Sequence, residues 1–306
     1  MPVRSDRFLS TKTLAVAAMA LAVLVLAGAL SACSPLTLVN VVSPGGTARS
    51  VATAAFGPDP RHVLSIYRPA SGASKAPVIV FFYGGNWVSG ERDDYAFVGR
   101  SLAKRGFVVV IPDYRLYPQA SYPDFLHDGA RAVAWTERRI AAYGGDPKRL
   151  FLMGHSAGAY NAAMLALDSR WLGEQGSSPD ILRGWIGMAG PYNFLPVENE
   201  TTRPVFHYPD TPRDSQPVDH VRAGAPPALL IAARNDTTVN PERNTGVLAA
   251  RMRSAGVPVR EEYYDNVNHA TLVATLSSTL RRLAPSLGAV EDFVRSDGGR
   301  RTAPAR

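Results

Sequence analysis

Two hydrophobic periodicities take turns along this chain. Short strand-like runs, most of them largely apolar, recur at 62–68, 77–83, 107–112, 150–155, 184–189, 228–233 and 259–264, as in "PVIVFFY" and "ALLIAA". Brief β-branched and aromatic runs of this kind predict strands buried on both faces. Between several of them, at 94–105, 123–143, 157–169 and 241–255, and again at 283–295, apolar residues return at helical spacing. Strands alternating with helices predict an α/β class with a mostly parallel sheet covered on both sides.

Three segments break this rhythm. Residues 191–224, "PYNFLPVENETTRPVFHYPDTPRDSQPVDHVRAG", carry prolines and charges without a period. So long an irregular stretch inside a compact domain predicts a short irregular lid, a partial cap over a site. Residues 34–60 are rich in Pro, Gly, Ser and Thr, as suits a tether. Ahead of them Arg4, Arg7 and Lys12 precede an uncharged apolar run from Leu14 to Leu30, followed by Leu30-Ser31-Ala32-Cys33. A basic start, an apolar middle and small residues make an export signal. The apolar run is long enough to be confused with a membrane span, which needs about 20 residues, so an uncleaved anchor or plain secretion stands as the alternative and Cys33 decides. Leu-Ser-Ala-Cys resembles the lipobox of bacterial lipoproteins, which implies cleavage before Cys33 and a lipid anchor on it. The predicted organisation is a signal peptide at 1–32, a tether at 33–60, a folded domain at 61–296 and a disordered tail at 297–306. The chain is thus expected to be an exported lipoprotein of the bacterial cell envelope, on the periplasmic face or at the outer membrane.

Composition changes this picture little. The 306 residues, 46% of them hydrophobic, suffice for one large domain. Cys33 is the only cysteine, so no internal disulfide can form. The net charge of +7 sits in the n-region, the tails and scattered positions, with no basic stripe interleaved with aromatics. A nucleic-acid partner is therefore not expected. No His/Cys/Asp/Glu cluster has metal spacing and no glycine-rich phosphate loop appears, so no cofactor is expected.

The chemistry concentrates where strands end. The run at 150–155 passes into Gly154-His155-Ser156-Ala157-Gly158, and a helical pattern starts at once. G-x-S-x-G between a strand and a helix is the turn that exposes a nucleophilic serine. A serine hydroxyl needs a base and a group to orient that base. His269, between the last strand and a helix, is the candidate base; His207 and His220 lie in the irregular segment and are read as surface residues. Asp236, just past the run at 228–233, is the candidate acid, at the carboxyl end of a strand where parallel sheets build sites. Asp265 also precedes His269, by only four residues, and would have to bend back to reach the same ring. Acyl transfer also needs N–H donors for the developing oxyanion. Ala157 supplies one, and Gly84 and Gly85 in Tyr83-Gly84-Gly85-Asn86-Trp87 are placed to supply others, with Asn86 as a further candidate. Trp87 and His155 are read as substrate-binding, Trp87 either lining the pocket or packing beneath the lid. Asp113 and Arg115 are read as a structural ion pair or loop brace.

Taken in order, Tyr83–Trp87, Pro112-Asp113-Tyr114-Arg115-Leu116, Gly144-Gly145-Asp146-Pro147, Gly154–Gly158, Asp236 and His269 resemble the α/β-hydrolase superfamily. Within it the match is to bacterial carboxylesterases of the hormone-sensitive-lipase-like and isoprenylcysteine-methylesterase-like groups. The resemblance implies the α/β-hydrolase fold and a serine carboxylesterase that hydrolyses small to medium acyl or aryl esters through an acyl-enzyme. In such an enzyme Ser156 attacks, His269 relays the proton and Asp236 orients it. The family usually opens its glycine loop with histidine, where this chain has Tyr83. Two alternatives stand beside this reading: an arylformamidase-type amidohydrolase, whose loop is close to 83–87, and a catalytically silent binding protein on the same fold.

Overall fold

The computed structural model of the chain describes Asn40 and residues 50–299. The signal peptide, Cys33, most of the tether and the end of the tail lie outside the described residues. Among the described residues, eight strands form a single sheet in the order β1-β2-β4-β3-β5-β6-β7-β8. They are β1 (Ser50–Ala55), β2 (Val63–Tyr67), β3 (Ala76–Phe82), β4 (Val108–Pro112), β5 (Gly145–His155), β6 (Leu182–Met188), β7 (Ala228–Ala233) and β8 (Val259–Tyr264). β2 pairs antiparallel with β1 and with β4, and every other pair is parallel. Each residue of β4 and β7 is buried, so both faces of the sheet are covered there.

The seven helices among the described residues are α1 (Ala96–Ala103), α2 (Asp124–Arg139), α3 (Ala157–Leu167), the short α4 (Ser169–Gly173), α5 (Val247–Ser254), α6 (His269–Ala274) and α7 (Ser286–Arg295). All eleven residues of α3 are buried. It runs Ala, Gly, Met and Leu with only Asn161 and Tyr160 as polar members, so it needs no solvent face.

One predicted boundary moves. Residues 50–55, read as tether, form edge strand β1, so the folded body begins before residue 61. "SVATAA" has small side chains and no strong alternation, and its pairing with β2 decides its conformation. Asn40 is also seated on the domain: its Nδ2 donates to the carbonyls of Asp93 and Asp94, and its Oδ1 accepts the N–H of Phe97 at the start of α1.

Residues 191–224 are ordered around three single-turn 3-10 helices and bury Tyr192, Val205, Phe206 and Val218. Asn244 hooks the segment's start, its Oδ1 accepting the N–H groups of Tyr192 and Asn193. Asp113 and Arg115 do not pair with each other. Asp113 takes the guanidinium and the N–H of Arg92, while Arg115 forks onto Asp128 of α2, which also meets His62. Both residues lie past the end of β4, where their side chains find different partners, so each braces a different segment.

Candidate active site

Three loops at the carboxyl ends of β5, β7 and β8 bring Ser156, Asp236 and His269 together. Ser156 is the hinge between β5 and α3, held at φ 55° and ψ −123°. A non-glycine residue with positive φ is strained by about 1–3 kcal/mol. The surrounding packing enforces it: a Cβ on Gly154 would lie 2.1 Å from the Gly158 carbonyl oxygen, and one on Gly158 would lie 2.0 Å from the Phe82 carbonyl oxygen. Only glycine lets the helix start so close to β3 and β5. The Ser156 N–H is tied to the carbonyl of Met188 at 2.8 Å.

Ser156 Oγ stands 2.8 Å from His269 Nε2, and His269 Nδ1 stands 2.7 Å from Asp236 Oδ2. The second carboxylate oxygen accepts the N–H groups of Thr238 at 2.8 Å and Val239 at 2.9 Å. Burial pushes the Asp236 carboxyl up, but the His269 imidazole and these two N–H groups outweigh it and hold the group below its ordinary value. A carboxylate there fixes the proton on Nδ1 and leaves Nε2 as the acceptor for the serine hydroxyl. His269, expected in a loop, is the first residue of α6, behind an Asn268 cap closed reciprocally by Thr271. Asp265 turns outward to Arg234 at 3.0 Å.

The remaining predicted residues separate. Among the described residues, the amides of Gly85, Asn86 and Ala157 donate to no other protein group. Gly84 differs in that its backbone also lies within reach of the Tyr95 hydroxyl. Trp87 lines the pocket and also packs under the irregular segment, edge-on to Phe206 at 4.9 Å, with its Nε1 donating to Asn161 of α3. His155 does not reach the pocket. It is buried behind the serine, and its Nε2 donates to the carbonyl of His269 at 2.9 Å. Burial, and then the nearby His269 ring, pull its pKa down to about 3, so it stays neutral. Position alone suggested a substrate contact, but the ring packs against that of His269, centroids 5.1 Å apart, and is absent from the pocket lining. His207 and His220 bond to the carbonyls of Tyr122 and Asp214, outside the site.

The pocket over Ser156 holds about 200 Å³. Trp87, Phe194 and Val197 give it an apolar side, Thr238 and Asn240 a polar one. Arg243 lies on its wall and pairs with Glu198 at 2.9 Å. Sequence reasoning passed over Asn161, Tyr114 and Arg61, which hold the glycine loop; Tyr114 stands inside a quoted motif, whereas Arg61 carries no local signal at all. Among the described residues, no group of His, Cys, Asp and Glu could hold a metal ion.

This geometry can be set beside known proteins. A family model described as BD-FAE matches residues 64–251. A probable isoprenylcysteine alpha-carbonyl methylesterase of Oryza sativa subsp. japonica is 38% identical over 145 residues, 46% of this chain and 34% of that protein. Esterase LipQ of Mycobacterium tuberculosis is 31% identical over 268 residues, 80% of this chain and 62% of that protein. The chain thus spans between about a third and three fifths of the length of these relatives. Among solved structures, a thermophilic esterase from Thermogutta terrifontis has a TM-score of 0.68 at 22% identity, covering 83% of this chain and 94% of its own. A truncated carbohydrate esterase from gut microbiota has a TM-score of 0.70 at 18% identity, covering 83% and 97%. At such identities the likeness is one of fold.

Proposed function

The chain belongs to the BD-FAE family and has the α/β-hydrolase fold, and from that premise we propose that it is a serine carboxylesterase acting on small to medium acyl or aryl esters. The observation that carries this reading is the continuous chain from Ser156 Oγ through His269 to Asp236, with bonds of 2.8 and 2.7 Å. Ser156 attacks the ester carbonyl as His269 Nε2 takes its proton, and Asp236 stabilises the imidazolium. The oxyanion turns toward the free amides of Gly85, Asn86 and Ala157, each such donor being worth about 3–4 kcal/mol in the transition state. The proton passes from His269 to the departing alcohol, and a water activated by the same ring then releases the acid and restores Ser156. A pocket of about 200 Å³ favours short chains on the acyl or alcohol side.

A fluorophosphonate probe tests the reaction class: wild type is labelled and Ser156→Ala is not. Absent labelling, or equal labelling of both, would sink the esterase reading. A p-nitrophenyl series is then hydrolysed more slowly as the acyl chain outgrows the pocket.

The same proposal covers the N-terminus. Export through residues 1–32 and lipid modification of Cys33 hold the domain at the bacterial envelope, on the sequence pattern described above. Incorporation of a fatty-acid label that vanishes in Cys33→Ala tests it; label retained in that variant rules it out.

A further inference from the structure

The proposed reaction relies on amides in the loop 83–90, and the loop's own bonds are few. The Gly85 carbonyl accepts the N–H groups of Val88 and Ser89, which shapes the turn without fixing it to the body. We propose that Arg61, in the turn before β2, is the positioning residue of this loop, and that Tyr83 is the arm through which it acts. The inference rests on the esterase reading above.

Arg61 touches both ends of the loop. Its Nη2 donates to the Tyr83 hydroxyl and to the Gly90 carbonyl, each at 2.8 Å, and its Nε donates to the Tyr114 carbonyl at 2.8 Å. A planar guanidinium with donors in a fixed fork can hold three acceptors at set angles, which an ammonium cannot. Tyr83 receives that grip rigidly. Its ring is buried and stacked on Tyr114 at 4.6 Å and Tyr95 at 5.7 Å, and its carbonyl accepts the Tyr114 hydroxyl at 2.7 Å. Gly90 closes the circle, for a Cβ there would lie 2.8 Å from the Gly84 oxygen and 3.0 Å from the Tyr83 ring. Gly85 and Asn86 therefore sit between two ends gripped by one side chain, while Trp87 beside them is pinned separately, its carbonyl accepting the Tyr117 N–H at 2.8 Å and its Nε1 donating to Asn161.

Tyrosine in the first position of the loop follows from this arrangement. The phenol oxygen stands farther from its backbone than either nitrogen of an imidazole, and that reach meets Arg61 across the loop. β2, β3 and β4 are held by ladder hydrogen bonds and apolar packing independently of Arg61. Its removal thus loosens the donors more than the fold.

The test compares wild type, Arg61→Ala, Arg61→Lys, Tyr83→Phe and the double variant Arg61→Ala/Tyr83→Phe on p-nitrophenyl acetate and in fluorophosphonate labelling. Arg61→Ala and Tyr83→Phe each lower kcat about 10- to 100-fold with KM changed less than about twofold, and slow labelling by a similar factor. The double variant is no worse than Arg61→Ala alone, because the two act as one unit. Arg61 is 29% exposed, so added guanidinium ion reaches the vacated site and restores part of the Arg61→Ala rate, leaving Tyr83→Phe unchanged. A kcat within twofold of wild type, a loss confined to KM, additive losses or no rescue overturns the proposal. If Arg61→Ala fails to fold, Arg61→Lys and Tyr83→Phe carry the same kcat and KM comparison. A wild type inert to every ester and probe overturns the esterase reading and this inference together; an active wild type with unaffected variants overturns this inference alone.

Discussion

The bend at Ser156 and the bend at Gly84–Gly90 leave neighbouring strands side by side, Phe82 of β3 pairing with Gly154 of β5. They differ in what holds them. The serine bend is wedged by its own sequence, since Gly154 and Gly158 leave no room for any other backbone path. The glycine loop also needs its glycines, a Cβ on Gly85 falling 2.1 Å from the Ser89 oxygen, but it is held in place from outside as well, by Arg61, Tyr114 and Asn161. A bend built on steric exclusion can be read in five letters, and one built on borrowed hydrogen bonds cannot. The same contrast separates what each bend does in the proposed reaction: one must be strained to expose a nucleophile, the other must be aimed to receive a charge.

The largest expected effect removes the serine bend's function and leaves its form. Ser156→Ala lowers p-nitrophenyl acetate hydrolysis by about 10⁴-fold or more, with an unchanged thermal midpoint. Residual activity near wild type would move the nucleophile elsewhere. Next, Gly158→Ala attacks the form. Its Cβ would fall 2.0 Å from the Phe82 oxygen, a clash only backbone movement can relieve. A loss of about 3 kcal/mol or more is expected in urea unfolding, or failure to fold. A soluble, active Gly158→Ala of wild-type stability would break the distinction between the two bends.

A smaller effect tests the loop's outside support. Trp87→Phe keeps an aromatic ring among Phe125, Tyr160 and Phe206 but removes the Nε1 donor to Asn161. The Asn161 amide nitrogen already lacks a partner among the described residues, so the variant leaves a buried amide unpaired there. Denaturant unfolding should show a loss of about 1–3 kcal/mol, and an unchanged midpoint would argue that packing alone holds the loop.

What the sequence made legible follows the same division. Seven strand-like runs, the serine turn and the order Ser156, Asp236, His269 all announce themselves by local pattern. β1 was missed because six small residues take their conformation from pairing with β2. The approach of the Gly84 backbone to Tyr95 depends on a residue eleven positions on, past the loop. Arg61 lies 22 residues before Tyr83 in an unremarkable "DPRHVL", and only the fold brings the two to 2.8 Å. Asp113 and Arg115, two positions apart, look like partners in the sequence and serve different elements in the structure.

The smallest effect lies where the bends touch. A Cβ on Gly84 would stand 3.1 Å from His155 Nδ1, and that nitrogen has no hydrogen-bond partner among the described residues. The ring's other nitrogen must carry its proton, because it faces the carbonyl of His269, so protonating Nδ1 would put a buried cation against both bends. Its folded pKa near 3 lies below the ordinary value of 6.5. Above pH 6.5 neither folded nor unfolded chain binds this proton and stability is unaffected. As pH falls from 6.5 toward 3 the unfolded chain takes it up and the folded chain does not, so stability is lost, with a slope reaching about 1.4 kcal/mol per pH unit. His155→Gln keeps a donor for the His269 carbonyl and cannot titrate. Its urea-unfolding free energy should fall less steeply between pH 6.5 and 5 than that of wild type, the gap at pH 6 being under about 1 kcal/mol. Parallel slopes would mean that the contact between the bends tolerates a charge, and that the neutral ring is not what keeps the serine and the glycine loop in register.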